Sequence, residues 1–111
     1  MTVTVKVLIP AKIAEATQTT QYTASGVTTL IDKFTATNYS AAAATISVNL
    51  VTSADTAGNQ NLIVKTKTLQ AGETYTFPEI VGAALAASGF ISTIAGTATA
   101  INIRASGREI S

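Results

Sequence analysis

The chain contains no histidine, no cysteine and no tryptophan, and only 12% of its residues are charged. Without histidine it lacks the side chain that ordinarily moves protons near neutral pH. Without cysteine it has no thiolate nucleophile and no soft metal ligand. The absence of cysteine also excludes a disulfide-dense secreted scaffold, while leaving the redox compartment open. The charge share is roughly half that usual in soluble domains. Seven Lys plus Arg stand against six Asp plus Glu, for a net charge of +1. Nucleic-acid binders usually carry a clustered basic face. Here the cations are scattered, and only Lys65 and Lys67 are placed to share a strand face. Duplex binding is not expected. The most apolar stretch, Ile80 to Ile94, is interrupted by Gly82, Ser88, Gly89, Ser92 and Thr93 and is too short for a membrane span. Met1 to Lys6 shows no basic stretch leading into an apolar one, so no signal peptide is expected.

What the chain does have is alternation. Threonine and β-branched apolar residues repeat with a period of two along most of its 111 residues. That period marks strands with one buried face. Expected strands are Thr2 to Ile9, with Val3, Val5, Val7 and Ile9 on one face and Pro10 ending it or marking an edge position, then Thr19 to Ala24 and Val27 to Asn38. Thr45 to Thr52 alternates most cleanly, with Ile46, Val48 and Leu50 inward and Thr45, Ser47 and Asn49 outward. Leu62 to Leu69 and Thr74 to Phe77 follow, separated by a tight turn in which Gly72 is free to take positive φ. Ile80, Val81, Ala84, Leu85 and Ala87 approximate a helical stripe of little more than two turns. Phe90 to Ala95 and Thr97 to Ala105 read as a final hairpin turning at Gly96. Gly107 then releases a short tail. The expected fold is all-β: one antiparallel sandwich over residues 1–106, jelly-roll or immunoglobulin-like, with about eight strands. Residues 107–111 form a C-terminal tail.

Little in the sequence points to catalysis. The carboxylates Glu15, Asp32, Asp55, Glu73, Glu79 and Glu109 are dispersed, and all but Asp32 fall in expected loops, ends or the tail. A glycosidase pair facing across a cleft is not expected. Asp55, Asn59 and Asn61 share one loop, but a single carboxylate is too little charge for a calcium site. Tyr22, Tyr39 and Tyr75 could line a sugar-binding face, although tyrosine is equally at home at a strand edge. No catalytic residue, cofactor, metal site or small-molecule substrate is expected. Sparse charge in a β protein suggests that some surface is covered by partner subunits, because Lys-rich edges normally block pairing. The candidate interface residues are Val3, Val5 and Val7 on the first strand, with Arg104, Arg108, Glu109 and Ile110 at the C-terminus.

Several segments resemble a group of small virion proteins of tailed bacteriophages. They are Val5-Lys6-Val7-Leu8, Tyr22-Thr23-Ala24 before a Thr/Val-rich strand, and Asn38 with the small-residue loop after it. The resemblance continues through Ile46-Ser47-Val48-Asn49-Leu50, the turn Ala71-Gly72-Glu73-Thr74, and the closing Ser106-Gly107-Arg108-Glu109-Ile110. It implies a non-enzymatic structural protein made in the host cytoplasm and built into the virion as a homo-oligomer. The first role implied is a decoration or cement subunit on the major capsid protein. A neck, collar or head-tail connector ring subunit is the second. The class outside the virion is a free carbohydrate-binding or adhesion sandwich.

Overall fold

The alternating segments pair into two antiparallel sheets packed face to face; the computed structural model describes residues 1–111 throughout. The strands are β1 (Val3–Ile13), β2 (Thr19–Thr23), β3 (Thr28–Asn38), β4 (Ala44–Val51), β5 (Leu62–Leu69), β6 (Thr74–Tyr75), β7 (Ala84–Leu85), β8 (Phe90–Ala95) and β9 (Ile101–Ile110). A single 3-10 turn, Asn59–Asn61, interrupts the loop between β4 and β5. One sheet runs β1-β9-β3-β6, with β7 also paired to β3, and the other runs β2-β8-β4-β5. The pairs nest: β1 with β9, β2 with β8, β3 with β6 and β7, and β4 with β5. A chain folded into one long hairpin and then rolled gives this nesting, which is the jelly roll. An immunoglobulin-like sandwich instead keeps its first two strands in one sheet, whereas β1 and β2 lie in different sheets.

The core lies between the sheets. Ile9, Ile31, Phe34, Ile46, Val48, Leu69, Ile91 and Ile101 are fully buried in it. Phe34 and Phe77 meet edge to face, their centroids 4.8 Å apart, a geometry that aligns the positive ring edge with the negative face. Gly72 takes φ +78 in the turn before β6, as its sequence context predicts.

Three expectations are corrected. First, residues 107–111 are not a tail. Lys6 and Ile31 flank Gly107, Val5 and Leu30 flank Arg108, and Val3 and Thr28 flank Ile110, so this segment is the end of a central strand. Gly107 serves close approach rather than a turn. A Cβ there would lie 2.0 Å from the Leu30 carbonyl oxygen and 3.0 Å from Leu8 Cδ1. Second, β8 and β9 do not form a hairpin; they lie in opposite sheets, and the chain crosses between them. Third, Glu79 to Ser88 contains turns and the short β7 but no helix. Gly82 at φ +86 breaks the stripe, while Ile80 and Leu85 reach the core from an irregular backbone. Of the two readings of Pro10, the edge position holds, since β1 continues past it to Ile13. β1 is an edge strand with only β9 beside it, so a residue without an N–H is tolerated there.

Bulges also shift which residues face inward. In β3 the register slips between Ile31 and Lys33, so Ile31 and Phe34 are both buried although they lie on opposite parities. Leu30, which has the same parity as Phe34, faces the other way and is only half-buried. In β5 the slip falls between Val64 and Lys67, with Thr66 at φ +44, and the buried positions pass from Val64 to Leu69. In β1 the slip between Val7 and Ile9 buries both Leu8 and Ile9. Each extra residue reverses the alternation beyond it.

Candidate assembly face

The β1 bulge has a direct consequence for the surface. Before it, Val3, Val5 and Val7 face away from the core, and they are 49%, 83% and 45% exposed. Directly opposed residues of an antiparallel pair point to the same side. Val3 opposes Ile110, Val5 opposes Arg108 and Val7 opposes Ser106; β3 then sets Thr28 against Ile110, Leu30 against Arg108 and Thr35 against Arg104. The outer face of the β1-β9-β3 sheet thus gathers Val3, Val5, Val7, Leu30 and Ile110 around Arg108. Arg104 lies on the same face, further along β9, with no ion pair of its own.

Arg108 is held by Asp32 in a two-pronged contact, Nε to Oδ2 at 3.0 Å and Nη2 to Oδ1 at 2.9 Å. The fork of guanidinium N–H groups matches the two carboxylate oxygens. Their hydrogen bonds lower the Asp32 pKa and raise that of Arg108. The pair is solvent-exposed, with both side chains more than two-fifths accessible. It sets charge within the apolar patch rather than holding the fold together.

Glu109 is the one candidate that lies on the other side. It opposes Thr4 and accepts a hydrogen bond from Tyr22, with Lys6 Nζ 3.3 Å away. The candidates therefore divide: Val3, Val5, Val7, Arg104, Arg108 and Ile110 share one exposed face, and Glu109 ties the sheets together beneath it. Sequence reasoning missed Leu30 because the β3 bulge reverses its facing. Asp32, the one carboxylate expected within a strand, is paired with Arg108.

β1 is a free edge. Thr2 and Ser111 exchange both main-chain hydrogen bonds, each at 2.9 Å. The register then runs without a break from Val3 opposite Ile110 to Val7 opposite Ser106. Bonded and non-bonded pairs alternate in an antiparallel ladder. Thr4 and Lys6 therefore bond to β9, and the N–H and C=O groups of Val3, Val5 and Val7 point outward.

The other motifs resolve into local structure. Lys65 and Lys67 do not form a basic face, because the Thr66 bulge turns Lys67 over the Tyr75 ring, 4.7 Å from its centroid. The three tyrosines do not form a platform: Tyr22 is buried, Tyr75 lies edge-on to Phe77, and only Tyr39 is exposed. Asp55 accepts hydrogen bonds from Thr56 N and from the Gln60 and Asn61 amides, which keeps its pKa low and folds the loop on itself. Asn49, expected to face solvent, is buried under that loop. It accepts from Gln18 and donates to Gly58 O and Asn61 Oδ1. No protein-family model, no curated protein and no solved structure matches this chain.

Proposed function

We propose that this chain is a non-enzymatic structural subunit that assembles with copies of itself. In the setting its sequence resembles, it decorates and reinforces the capsid of a tailed phage. The observation that carries the reading is the outer face of the β1-β9-β3 sheet, where Val3, Val5, Val7, Leu30 and Ile110 surround the Arg108–Asp32 pair. Val3, Val5 and Val7 are exposed there and Leu30 and Ile110 half-buried, and apolar side chains gathered into one patch mark interaction surfaces rather than ordinary solvent-facing positions. The jelly roll recurs in viral capsid domains, which supports the setting by analogy of fold alone. In this role each copy adds a modest contact, and repetition across a lattice makes attachment firm. A neck or collar ring subunit uses the same face in a closed ring.

Light scattering of the purified protein across a concentration series tests the reading. A defined dimer or trimer is expected for a decoration subunit, and a larger closed ring moves the assignment to the neck. A strict monomer at every concentration overturns self-assembly.

A further inference from the structure

We infer that two copies of this chain join edge to edge through β1, antiparallel and centred on Val5, making one continuous sheet across a two-fold axis. The inference rests on the self-assembly reading and specifies the strand, the partner and the register.

The first argument is what guards the edge and where. Proteins blunt exposed strand edges with bulges, prolines and charges. β1 has a bulge after Val7 and Pro10 just beyond it, so its second half is protected. Val3 to Val7 has neither device, and every residue in it is exposed. Its one charge, Lys6, points to the face of Glu109 and is engaged there. The unguarded segment is thus regular and rich in β-branched residues, with the main-chain groups of Val3, Val5 and Val7 directed outward.

The second argument is self-complementarity. A strand pairing with its own copy must bring outward groups to outward groups. Centred on Val5, the pairing sets Val5 against the partner's Val5 and Val3 against the partner's Val7, and all of these are outward-bonding positions. On the outer face the valines of both copies form one apolar row. On the inner face Thr4 meets the partner's Lys6, and Glu109 lies one strand further along the same row. Lys6 is therefore shared between its own Glu109 and that of the second copy. Shifting the centre to Lys6 would set Lys6 against the partner's Lys6, a like-charge pair that destabilises, and would push Val3 toward the bulge at Ile9. Shifting it to Thr4 avoids the clash but sets Val7 against the partner's Met1, outside the strand and 99% exposed, so that only Val3 to Val5 of β1 pair with β1. Charge and length both select Val5. The product is a sheet eight strand positions wide, four from each copy (β1, β9, β3 and then β6 and β7), within the width that twisted sheets sustain.

Cysteine chemistry reads the register, since the chain has no cysteine of its own. Thr4 and the partner's Lys6 form a non-hydrogen-bonded pair, whose close Cα atoms suit a disulfide. Under mild oxidation, a mixture of Thr4→Cys and Lys6→Cys chains should give a covalent dimer of one chain of each kind, while each variant alone stays monomeric on a denaturing gel. The second variant is Val5→Pro. Its N–H points to the free edge, so proline removes an intermolecular donor without removing a bond to β9. Val5→Pro should raise the dimer dissociation constant at least ten-fold while the circular dichroism spectrum stays that of the wild type. Mixed cysteine variants that fail to cross-link although the wild type is dimeric overturn the edge pairing, and that result stands even if Val5→Pro fails to fold. A wild-type trimer would keep the assembly reading and overturn the two-fold pairing. A wild-type monomer would overturn both.

Discussion

Tyr22 Oη donates a 2.5 Å hydrogen bond to Glu109 Oε2, tying the edge strand of one sheet to the end of a central strand of the other. The Thr29 hydroxyl, fully buried on β3, lies 2.6 Å from the same phenol oxygen. One side chain thus links three strands at the end of the sandwich that carries the exposed valines. The tie anchors β9 near its end, and β9 is the one strand paired with β1.

Tyr22→Phe keeps the ring and removes only the hydroxyl. Thr29 then has no partner in a buried site, a loss of about 1–3 kcal/mol. Urea unfolding should show this as a lower midpoint with an unchanged slope. An unchanged midpoint would mean that water replaces the phenol and that the tie is not structural.

The same network fixes how stability depends on pH. The Tyr22 hydrogen bond, helped by Lys6, holds the Glu109 carboxyl below its ordinary 4.5. A lowered carboxyl contributes stability that is present above that value and is lost as pH falls through the folded pKa. Burial, and then the neighbouring Glu109, push Tyr22 from 10.0 up to about 12. A raised phenol contributes stability that is present below pH 10.0 and is lost as pH rises toward about 12. Stability should therefore be flat between the two limbs. Tyr22→Phe should weaken the alkaline limb and leave a remnant from Tyr75, which Glu79 also raises. Glu109→Gln should make the acid limb shallower without abolishing it, because Glu15, Asp32, Asp55 and Glu79 are lowered as well. Denaturant titrations at a series of pH values would show both limbs.

Removing residues 107–111 separates a tail from a strand. Loss of a tail would leave the fold intact. Here it removes the neighbours of both Val3 to Lys6 and Thr28 to Ile31, so the truncated chain should lose its cooperative thermal transition. Gly107→Ala makes the same point with one methyl group, forced against the Leu30 carbonyl. It should cost about 3 kcal/mol. A cooperative melt from the truncated chain would show that the C-terminal ladder contributes little.

Gly107 also marks where the sequence stops being legible. The all-β class and most strand positions follow from alternation alone, because a half-buried strand imposes that period on its residues. A glycine after a serine reads as a turn, yet the same residue is required where two strands and Leu8 crowd one point. That crowding is a tertiary fact with no local signature. The bulges act in the same way. Ile31 and Phe34 lie three apart in sequence, and both reach the core only because an extra residue between them reverses the alternation. At the candidate face, the identities of Val3, Val5, Val7, Arg108 and Ile110 were legible as an unusual N-terminal stripe and C-terminus. Their convergence was not, since it depends on β1 and β9 pairing across nearly the whole chain.

Asn49→Ala tests the polar cap over the second sheet. Asn49 is 2% exposed, accepts a hydrogen bond from Gln18 and donates two to the loop after β4, at Gly58 and Asn61. Its removal should lower stability by about 1–3 kcal/mol and free the loop from residue 52 to 61. Limited proteolysis should then cut within that loop before anywhere else. Cleavage spread evenly over the chain would show that the loop is held by other contacts.

Replacing Val3, Val5 and Val7 together with threonine separates side-chain from main-chain contributions to assembly. Threonine keeps the β-branched shape that strands favour, and exposed substitutions of this kind change folding stability by no more than about 0.5 kcal/mol. The monomer should therefore melt as the wild type does. In the two-fold dimer the valines lie in one row, and exchanging a methyl for a hydroxyl on each removes apolar burial worth about 0.8 kcal/mol per buried carbon. Even half-buried, three such changes on each copy exceed the roughly 1.4 kcal/mol that corresponds to a ten-fold change in affinity. The triple variant should dissociate at least ten-fold more readily, and its dimer should still form the Thr4→Cys with Lys6→Cys cross-link at high concentration. The register is set by main-chain bonds and by the opposition of Lys6 to Thr4, which the substitutions leave in place. A triple variant that dimerises as tightly as the wild type would show that the valine row is not part of the contact.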